Sequence, residues 1–273
     1  MKKIFLLFAF IISFTLISFA AVDTVSIYSN AMHKNIKAVV IKPDSYQKEK
    51  EFAVVYLLHG AYGNYANWIK KVPALQAYAD QYKILVVCPD GAVTSWYFDS
   101  PVDTSFKYET HIATEVPAFI DANYKTKKNR KFRAIAGLSM GGHGALFVAF
   151  RHSDTFGACG SMSGALDVGS IKTGYDVEKR LGNYDSNKVY YNDWSVLNTI
   201  EKKPKDSLAI IIDCGLQDFI YTMSKATHEK MIKLKIAHDY IERPGKHDWS
   251  YWANAVGYQL MFFKNLFDKN ESK

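Results

Sequence analysis

Four short, nearly continuous apolar runs constrain this chain of 273 residues more than any other feature. They span 53–58 (AVVYLL), 84–88 (ILVVC), 132–136 (FRAIA) and 209–213 (AIIID). A strand with one wet face alternates apolar and polar residues, whereas a strand of a parallel sheet covered on both faces does not. Residues 22–29 and 36–41 do alternate, as an antiparallel pair with one wet face would. Helical patterns lie between the runs, at about 64–82, 108–123 and 140–151. A further helical pattern at 219–235, a strand-like 237–242 and a final helix at about 247–267 complete the chain. Strand alternating with helix specifies βαβ units, hence an α/β fold with a mostly parallel central sheet and helices on both faces.

One stretch breaks the rhythm. Residues 165–205 are polar and rich in Tyr and Asn, with two short helical patterns near 176–181 and 194–201. Forty residues without a strand inside a compact domain read as a functional, lid-like insertion. Residues 21–273 are therefore expected to form a single domain carrying that insertion.

The first twenty residues have a different logic. Lys2 and Lys3 precede an apolar stretch from Ile4 to Phe19, and Ser18 and Ala20 place small residues at the −3 and −1 positions of a cut before Ala21. Polar chain follows at once, so residues 1–20 read as a cleavable signal peptide, with an uncleaved anchor as the alternative. No cysteine lies near the cut to take a lipid, so a secreted or periplasmic protein without stable membrane insertion is expected. The net charge of +7 is carried partly by lysine runs at 125–131 and 202–205. Without a recognition motif or interleaved aromatics, these runs read as solvated turns, and no nucleic-acid partner is expected. Cys88, Cys159 and Cys214 each end an apolar run and lack metal-ligand spacing, so they read as small buried hydrophobes.

The chemistry is concentrated in Gly137-Leu138-Ser139-Met140-Gly141. G-x-S-x-G is common by chance, and a glycine-rich packing turn is its bland reading. Here it follows a predicted strand and opens a predicted helix, the context a nucleophile elbow requires. The glycines let strand and helix pass closely, and Ser139 is presented at a helix N-terminus that favours developing negative charge.

A serine nucleophile needs a base, and the base needs an orienting acid, in the chain order Ser, Asp or Glu, His. Among the histidines after Ser139, His143 and His152 belong to the nucleophile helix, His228 to a later helix and His238 to a strand. Only His247 lies in a loop between a strand and the last helix. The acid should follow the preceding strand, which selects Asp218 over Asp213, Asp248 and Glu242. The oxyanion donors would be the Met140 N–H, directly after the nucleophile, and an N–H of the loop 58–63, with Ala61 the choice. His59 precedes Ser139 in the chain and fits a role in shaping that loop better than that of a base.

The segments YLLHGAYGNYANW (56–68), CPDG (88–91), SWYFDSP (95–101), AGLSMGGHGAL (136–146), GSMSGALD (160–167), DCGLQDF (213–219) and PGKHDWSYW (244–252) resemble the putative esterase family. That family includes esterase D-type S-formylglutathione hydrolases, feruloyl and acetyl-xylan esterases, and mycolyltransferases. The resemblance covers nearly the whole chain after the leader, in order. It implies an α/β-hydrolase fold, Ser139, Asp218 and His247 as catalytic triad, and Ala61 and Met140 as oxyanion donors. Mycolyltransferases show Asp where this chain has His59, and the leader departs from cytosolic thioesterases. The resemblance thus implies an exported carboxylesterase acting on feruloylated or acetylated plant polysaccharide or oligosaccharide, needing neither cofactor nor metal. Trp96, Tyr97 and His59 would contact substrate, with ordinary packing as the alternative for the first two. Trp249 and Trp252 read as core. Acyl transfer, a formylglutathione-type thioesterase, a peptidase and a non-catalytic binding module are the competing readings. The intact Ser, Asp and His in the right order argue against the last.

Overall fold

A computed structural model describes residues 22–202 and 208–272. The expected leader, residues 1–20, lies outside the described residues. Eight strands form one sheet in the order β1-β2-β4-β3-β5-β6-β7-β8. They are β1 (Val22–Ser29), β2 (Lys34–Ile41), β3 (Ala53–Leu58), β4 (Ile84–Pro89), β5 (Arg133–Leu138), β6 (Ala158–Met162), β7 (Ala209–Gly215) and β8 (Asp239–Arg243). β1 and β2 are antiparallel to each other, and β2 is antiparallel to β4. Strands β4, β3, β5, β6, β7 and β8 run parallel.

Burial follows the sequence logic. The unbroken apolar runs are buried at every position in β3, β4 and β5, whereas β1 alternates exposed and covered residues. Alternate residues of the central strands feed two cores, one on each face. Val54, Tyr56 and Leu58 pack with the helix Met140–Arg151. Val55 and Leu57 pack with the C-terminal helix Trp249–Glu271. This is the α/β-hydrolase arrangement expected. Cys88, Cys159 and Cys214 are buried within β4, β6 and β7. Among the described residues, no helix is long and apolar enough to cross a membrane.

Two expectations need correction. The helix anticipated at 64–82 is two helices, Asn67–Lys71 and Leu75–Tyr82. Pro73 separates them, because proline lacks the N–H of a helix interior and drives the residue before it from helical geometry, as Val72 shows at φ −127°. The segment 165–202 is more helical than its sequence suggested, with short turns of helix from Val168–Ile171 to Ile200–Lys202. It is also firmly seated, since Leu166, Val168, Val177, Leu181, Tyr191 and Val196 are all fully buried in the core that covers the nucleophile helix.

Candidate active site

Ser139 joins β5 to the helix Met140–Arg151 with φ 55° and ψ −120°, a conformation that costs a non-glycine residue about 1–3 kcal/mol. The turn is that tight because its flanks are glycine. A Cβ on Gly137 would lie 2.3 Å from the Gly141 carbonyl oxygen, and one on Gly141 would lie 2.5 Å from the His59 carbonyl oxygen. Backbone hydrogen bonds fix the strained residue from both sides: Ser139 N–H donates to Met162 O at 3.0 Å, and Ala165 N–H donates to Ser139 O at 3.2 Å.

The loops after β7 and β8 bring Asp218 and His247 to this serine. They are stitched to each other by Leu216 N–H to Arg243 O at 2.8 Å, Gln217 N–H to Gly245 O at 2.9 Å and Gly245 N–H to the Gln217 side-chain oxygen at 2.6 Å. His247 Nδ1 lies 2.8 Å from Asp218 Oδ2 and 3.0 Å from Oδ1, and His247 Nε2 lies 3.0 Å from Ser139 Oγ. With a carboxylate at Nδ1, that nitrogen carries the proton and donates it, leaving Nε2 to accept from the serine hydroxyl. Asp218 Oδ1 also accepts from the Ile220 N–H at 3.0 Å. Burial works against the charge on Asp218. The hydrogen bonds from His247 and Ile220 nevertheless help hold the carboxyl below the ordinary aspartate range.

The other candidate acids are engaged elsewhere. Asp213, fully buried, accepts from Arg243 at 2.6 Å and from the Tyr251 hydroxyl, and burial pushes its carboxyl up against those bonds. Asp248 caps the last helix by accepting from the Tyr251 N–H. Glu242 accepts from the Tyr240 and Tyr221 hydroxyls. The other histidines after Ser139 also lie away from its hydroxyl. His143 is buried with Nε2 against the Trp194 carbonyl, His152 pairs with Glu109, and His228 bonds His238.

On the opposite side of Ser139 runs the loop after β3. A Cβ on Gly60 would come 3.2 Å from Ser139 Cβ, so this backbone lies directly against the nucleophile position. His59, 1% exposed, organises it. Its Nε2 accepts from the Gly91 N–H at 2.8 Å, so Nδ1 carries the proton and donates to Gly60 O at 2.8 Å. Burial lowers the pKa of His59, which keeps it neutral and able to accept from Gly91. Gly63 N–H binds the same Gly60 carbonyl at 3.1 Å. All peptides among the described residues are trans, so the Ala61 N–H points opposite to the Gly60 carbonyl and away from His59.

Two cavities meet at Ser139. The smaller, of about 40 Å³, is apolar, lined by Trp96, Met140, Ala165, Ile171, Phe219 and Ile220 together with Ala61 and Tyr175. A larger, more open one of about 200 Å³ is lined by His247, Tyr62, Asn67, Trp249 and Trp252, and shares Ala61 and Tyr175 with the first. Trp96 thus reaches the site. Tyr97 and His59 do not, which corrects the expectation that they contact substrate. The Tyr97 ring is wedged beneath Gly91 and Gly144 with its hydroxyl on the His59 carbonyl, and His59 spends both ring nitrogens on backbone. Trp252 is buried in the core beneath the last helix and Trp249 packs against it, as expected, and both also border the open cleft. Tyr62, Asn67, Ile171, Tyr175 and Phe219 were not anticipated individually. Phe219 had a signal in its position beside Asp218, and its ring lies 4.7 Å from that of His247. The segment 165–202 closes the cavity roof through Trp96 Nε1–H donating to Tyr175 O at 2.9 Å and Thr94 donating to Asp176 at 2.9 Å.

The chain is similar to known esterases and acyltransferases. A family model described as "Putative esterase" matches residues 29–262. An acetyl esterase of Caldicellulosiruptor saccharolyticus is 27% identical over 268 residues, covering 91% of this chain and all of that protein. A diacylglycerol acyltransferase/mycolyltransferase Ag85A of Mycobacterium gordonae is 34% identical over 155 residues, covering 54% of this chain and 43% of its own length. The solved structure of a ferulic acid esterase superposes with a TM-score of 0.78 at 28% identity, covering 91% of this chain and 98% of that one.

Proposed function

This chain belongs to the Putative esterase family and is a carboxylesterase, and on that footing we propose that it works through an acyl-enzyme on Ser139. In this reading His247 takes the proton of Ser139 Oγ as the oxygen attacks the ester carbonyl, and Asp218 holds the tautomer and stabilises the imidazolium. The Ala61 and Met140 N–H groups receive the oxyanion, an interaction whose loss typically costs about 10² or more in rate. The carbon–oxygen bond to the alcohol breaks, the alcohol oxygen takes the proton from His247, and water resolves the acyl-enzyme by the same steps in reverse order. The observation that carries this reading is the unbroken relay from Ser139 Oγ through His247 to Asp218, opening onto two cavities.

The substrate in this reading is an acetyl or feruloyl ester of a plant polysaccharide or oligosaccharide. Its support is the apolar, tryptophan-bearing cavity beside Ser139 and the names of the acetyl esterase and ferulic acid esterase similar to this chain. Export is part of the proposal and rests on residues 1–20, where Lys2 and Lys3 precede an apolar stretch and Ala20 a cleavage site. The test is a substrate panel on the purified mature protein: p-nitrophenyl acetate and butyrate, methyl ferulate and acetylated xylan. Ser139→Ala is expected to lose turnover on every active member of the panel by several orders of magnitude and to escape labelling by a fluorophosphonate. Labelling at another serine, or turnover close to wild type, would remove the reading.

A further inference from the structure

One buried tyrosine reaches His59 from two directions. Tyr97 is fully buried, and its hydroxyl donates to the His59 carbonyl oxygen at 2.9 Å. Among the described residues no other donor meets that carbonyl. The Tyr97 ring lies against Gly91, where a Cβ would come within 2.2 Å of it, and the Gly91 N–H is the donor that holds His59 Nε2. The main chain of His59 and its imidazole are therefore located by the same side chain.

The His59 carbonyl is also where the loop after β3 meets the nucleophile helix. A Cβ on Gly141 would lie 2.5 Å from this oxygen, so the first turn of the helix rests directly on it. A Cβ on Gly144, one turn further, would lie 2.4 Å from the Tyr97 ring. Tyr97 thus fills the space between helix and loop, and its hydroxyl closes the gap to the carbonyl. The Met140 N–H opens the helix on one side of this contact, and the Ala61 N–H follows His59 by two residues on the other.

We propose that Tyr97 is a positioning residue that sets the spacing of the two oxyanion donors, the Met140 and Ala61 N–H groups, through the His59 carbonyl. This rests on the acyl-enzyme reading above. The argument follows two successive peptides. The Gly60–Ala61 peptide, which carries the Ala61 N–H, is held at its oxygen by His59 Nδ1 and by the Gly63 N–H. The peptide before it, His59–Gly60, has its oxygen held by Tyr97. Without that bond the His59–Gly60 unit is free to turn, and it carries the next amide off its aim. Hydrogen bonds weaken steeply as they bend, and a donor aligned in advance costs no reorganisation at the moment of reaction.

The loop that delivers the phenol is built at a cost. Trp96 and Tyr97 are consecutive non-glycine residues in the left-handed region, at φ 57° and 60°. Buried Ser95 braces the second by accepting from the Tyr97 N–H at 3.0 Å. Burial pushes the Tyr97 hydroxyl well above the ordinary tyrosine range, so the phenol keeps its proton and remains a donor.

The experiment separates the hydroxyl from the ring. Tyr97→Phe keeps the wedge and removes the donor. Gly144→Ala reaches the same bond from the helix, because the new methyl displaces the ring while alanine favours the helix. Tyr56→Phe, which deletes another fully buried phenol oxygen three residues before His59, is the control. Kinetics on p-nitrophenyl acetate are paired with inhibition by phenylboronic acid. Ser139 Oγ adds to its boron as His247 takes the proton, and a boron-bound oxygen enters the oxyanion hole. In Tyr97→Phe, kcat and kcat/KM are expected to fall together by about tenfold, part of the hundredfold or more lost with a donor itself. The inhibition constant is expected to rise by a similar factor, and Gly144→Ala to show both changes. Tyr56→Phe is expected to stay within twofold of wild type on every measure, whatever its melting temperature. Melting curves fix an assay temperature at which each variant is folded, and if Tyr97→Phe does not fold, Gly144→Ala carries the test. Wild-type behaviour in the variant that carries the test, or a fall in kcat with inhibition unmoved, overturns the positioning role and leaves the esterase reading standing. A Ser139→Ala variant that still hydrolyses p-nitrophenyl acetate overturns the reading beneath it.

Discussion

The two walls around Ser139 are held in place by opposite electrostatic strategies. The loop after β3 is fixed by a neutral histidine: His59, buried and kept uncharged, accepts from one backbone amide and donates to one carbonyl. The loops after β7 and β8 are fixed by charge. Asp213 and Arg243 pair at 2.6 Å at the ends of the two strands, and Asp218 meets His247 at 2.8 Å. The difference follows from what each wall is proposed to do. An oxyanion donor must present a fixed N–H dipole, and a neutral clamp supplies that without adding a charge that would compete for the oxyanion. The base must become an imidazolium during the reaction, and a carboxylate beside it lowers the free energy of that state. One wall is a set of oriented dipoles and the other a titrating pair, and they are expected to fail differently.

The sharpest break should come on the charged wall. Asp218→Asn preserves shape but favours the wrong imidazole tautomer, and kcat is expected to fall by about 10³ to 10⁴. Steady-state kinetics on p-nitrophenyl acetate would show it, and a milder effect than that of Asp248→Asn would move the acid to the capping residue. On the neutral wall, His59→Ala frees the Gly60–Ala61 peptide to rotate. The expected loss is about 10² in kcat with KM little changed, because the lost interaction belongs to the transition state. A change confined to KM would mean that His59 acts on substrate binding instead.

The Asp213–Arg243 clamp is expected to report in stability. Arg243→Met leaves a buried carboxylate without its cation, a change that costs about 3–5 kcal/mol. Combining it with Asp213→Asn should restore part of the melting temperature, since the buried charge is gone. If the double variant were no more stable than the single one, the ion pair would not be the source of the loss.

The smallest effect concerns acid. His143, in the helix after Ser139, is pushed down to about 4 by burial, although its bond to the Trp194 carbonyl opposes this. A histidine with a depressed folded pKa is protonated more readily when unfolded. Its contribution is fully present above the unfolded value of about 6.5 and is lost as pH falls from there towards about 4. Asp218, depressed below the ordinary aspartate value, loses its contribution only at lower pH, as protonation sets in beneath about pH 4. The structure therefore predicts two successive acid losses; His59 and His111, also lowered by burial, share the first, so His143→Phe should make the fall in melting temperature between about pH 6.5 and 4.5 shallower while sparing the second. Identical pH profiles for the variant and the wild type would assign the first loss to other groups.

What the amino-acid sequence determined by itself was whatever depends on neighbours along the chain. Unbroken apolar runs specified β3, β4 and β7 because strands covered on both faces have no reason to alternate. Gly137 and Gly141 marked the elbow because only their missing side chains let the strand and helix approach so closely. Chain order and loop position singled out Ser139, Asp218 and His247, and the fold brings these three within hydrogen-bonding distance. Only the tertiary structure decided which aromatic side chains face the cleft. Trp96 and Tyr97 are adjacent, both at positive φ and both buried, yet one lines the cavity and the other wedges behind His59. Trp249 and Trp252 belong to the core, as their helical spacing indicates, and also meet the cleft because the loop carrying His247 lies beside them. Pro73 broke a helix whose pattern was otherwise continuous, and the segment 165–202 gained its helices by packing on residues far away in the chain. The physical reason is the same throughout. Backbone pattern and glycine sterics act over a few residues, whereas the direction a side chain takes in a loop is set by contacts with segments that the sequence places elsewhere.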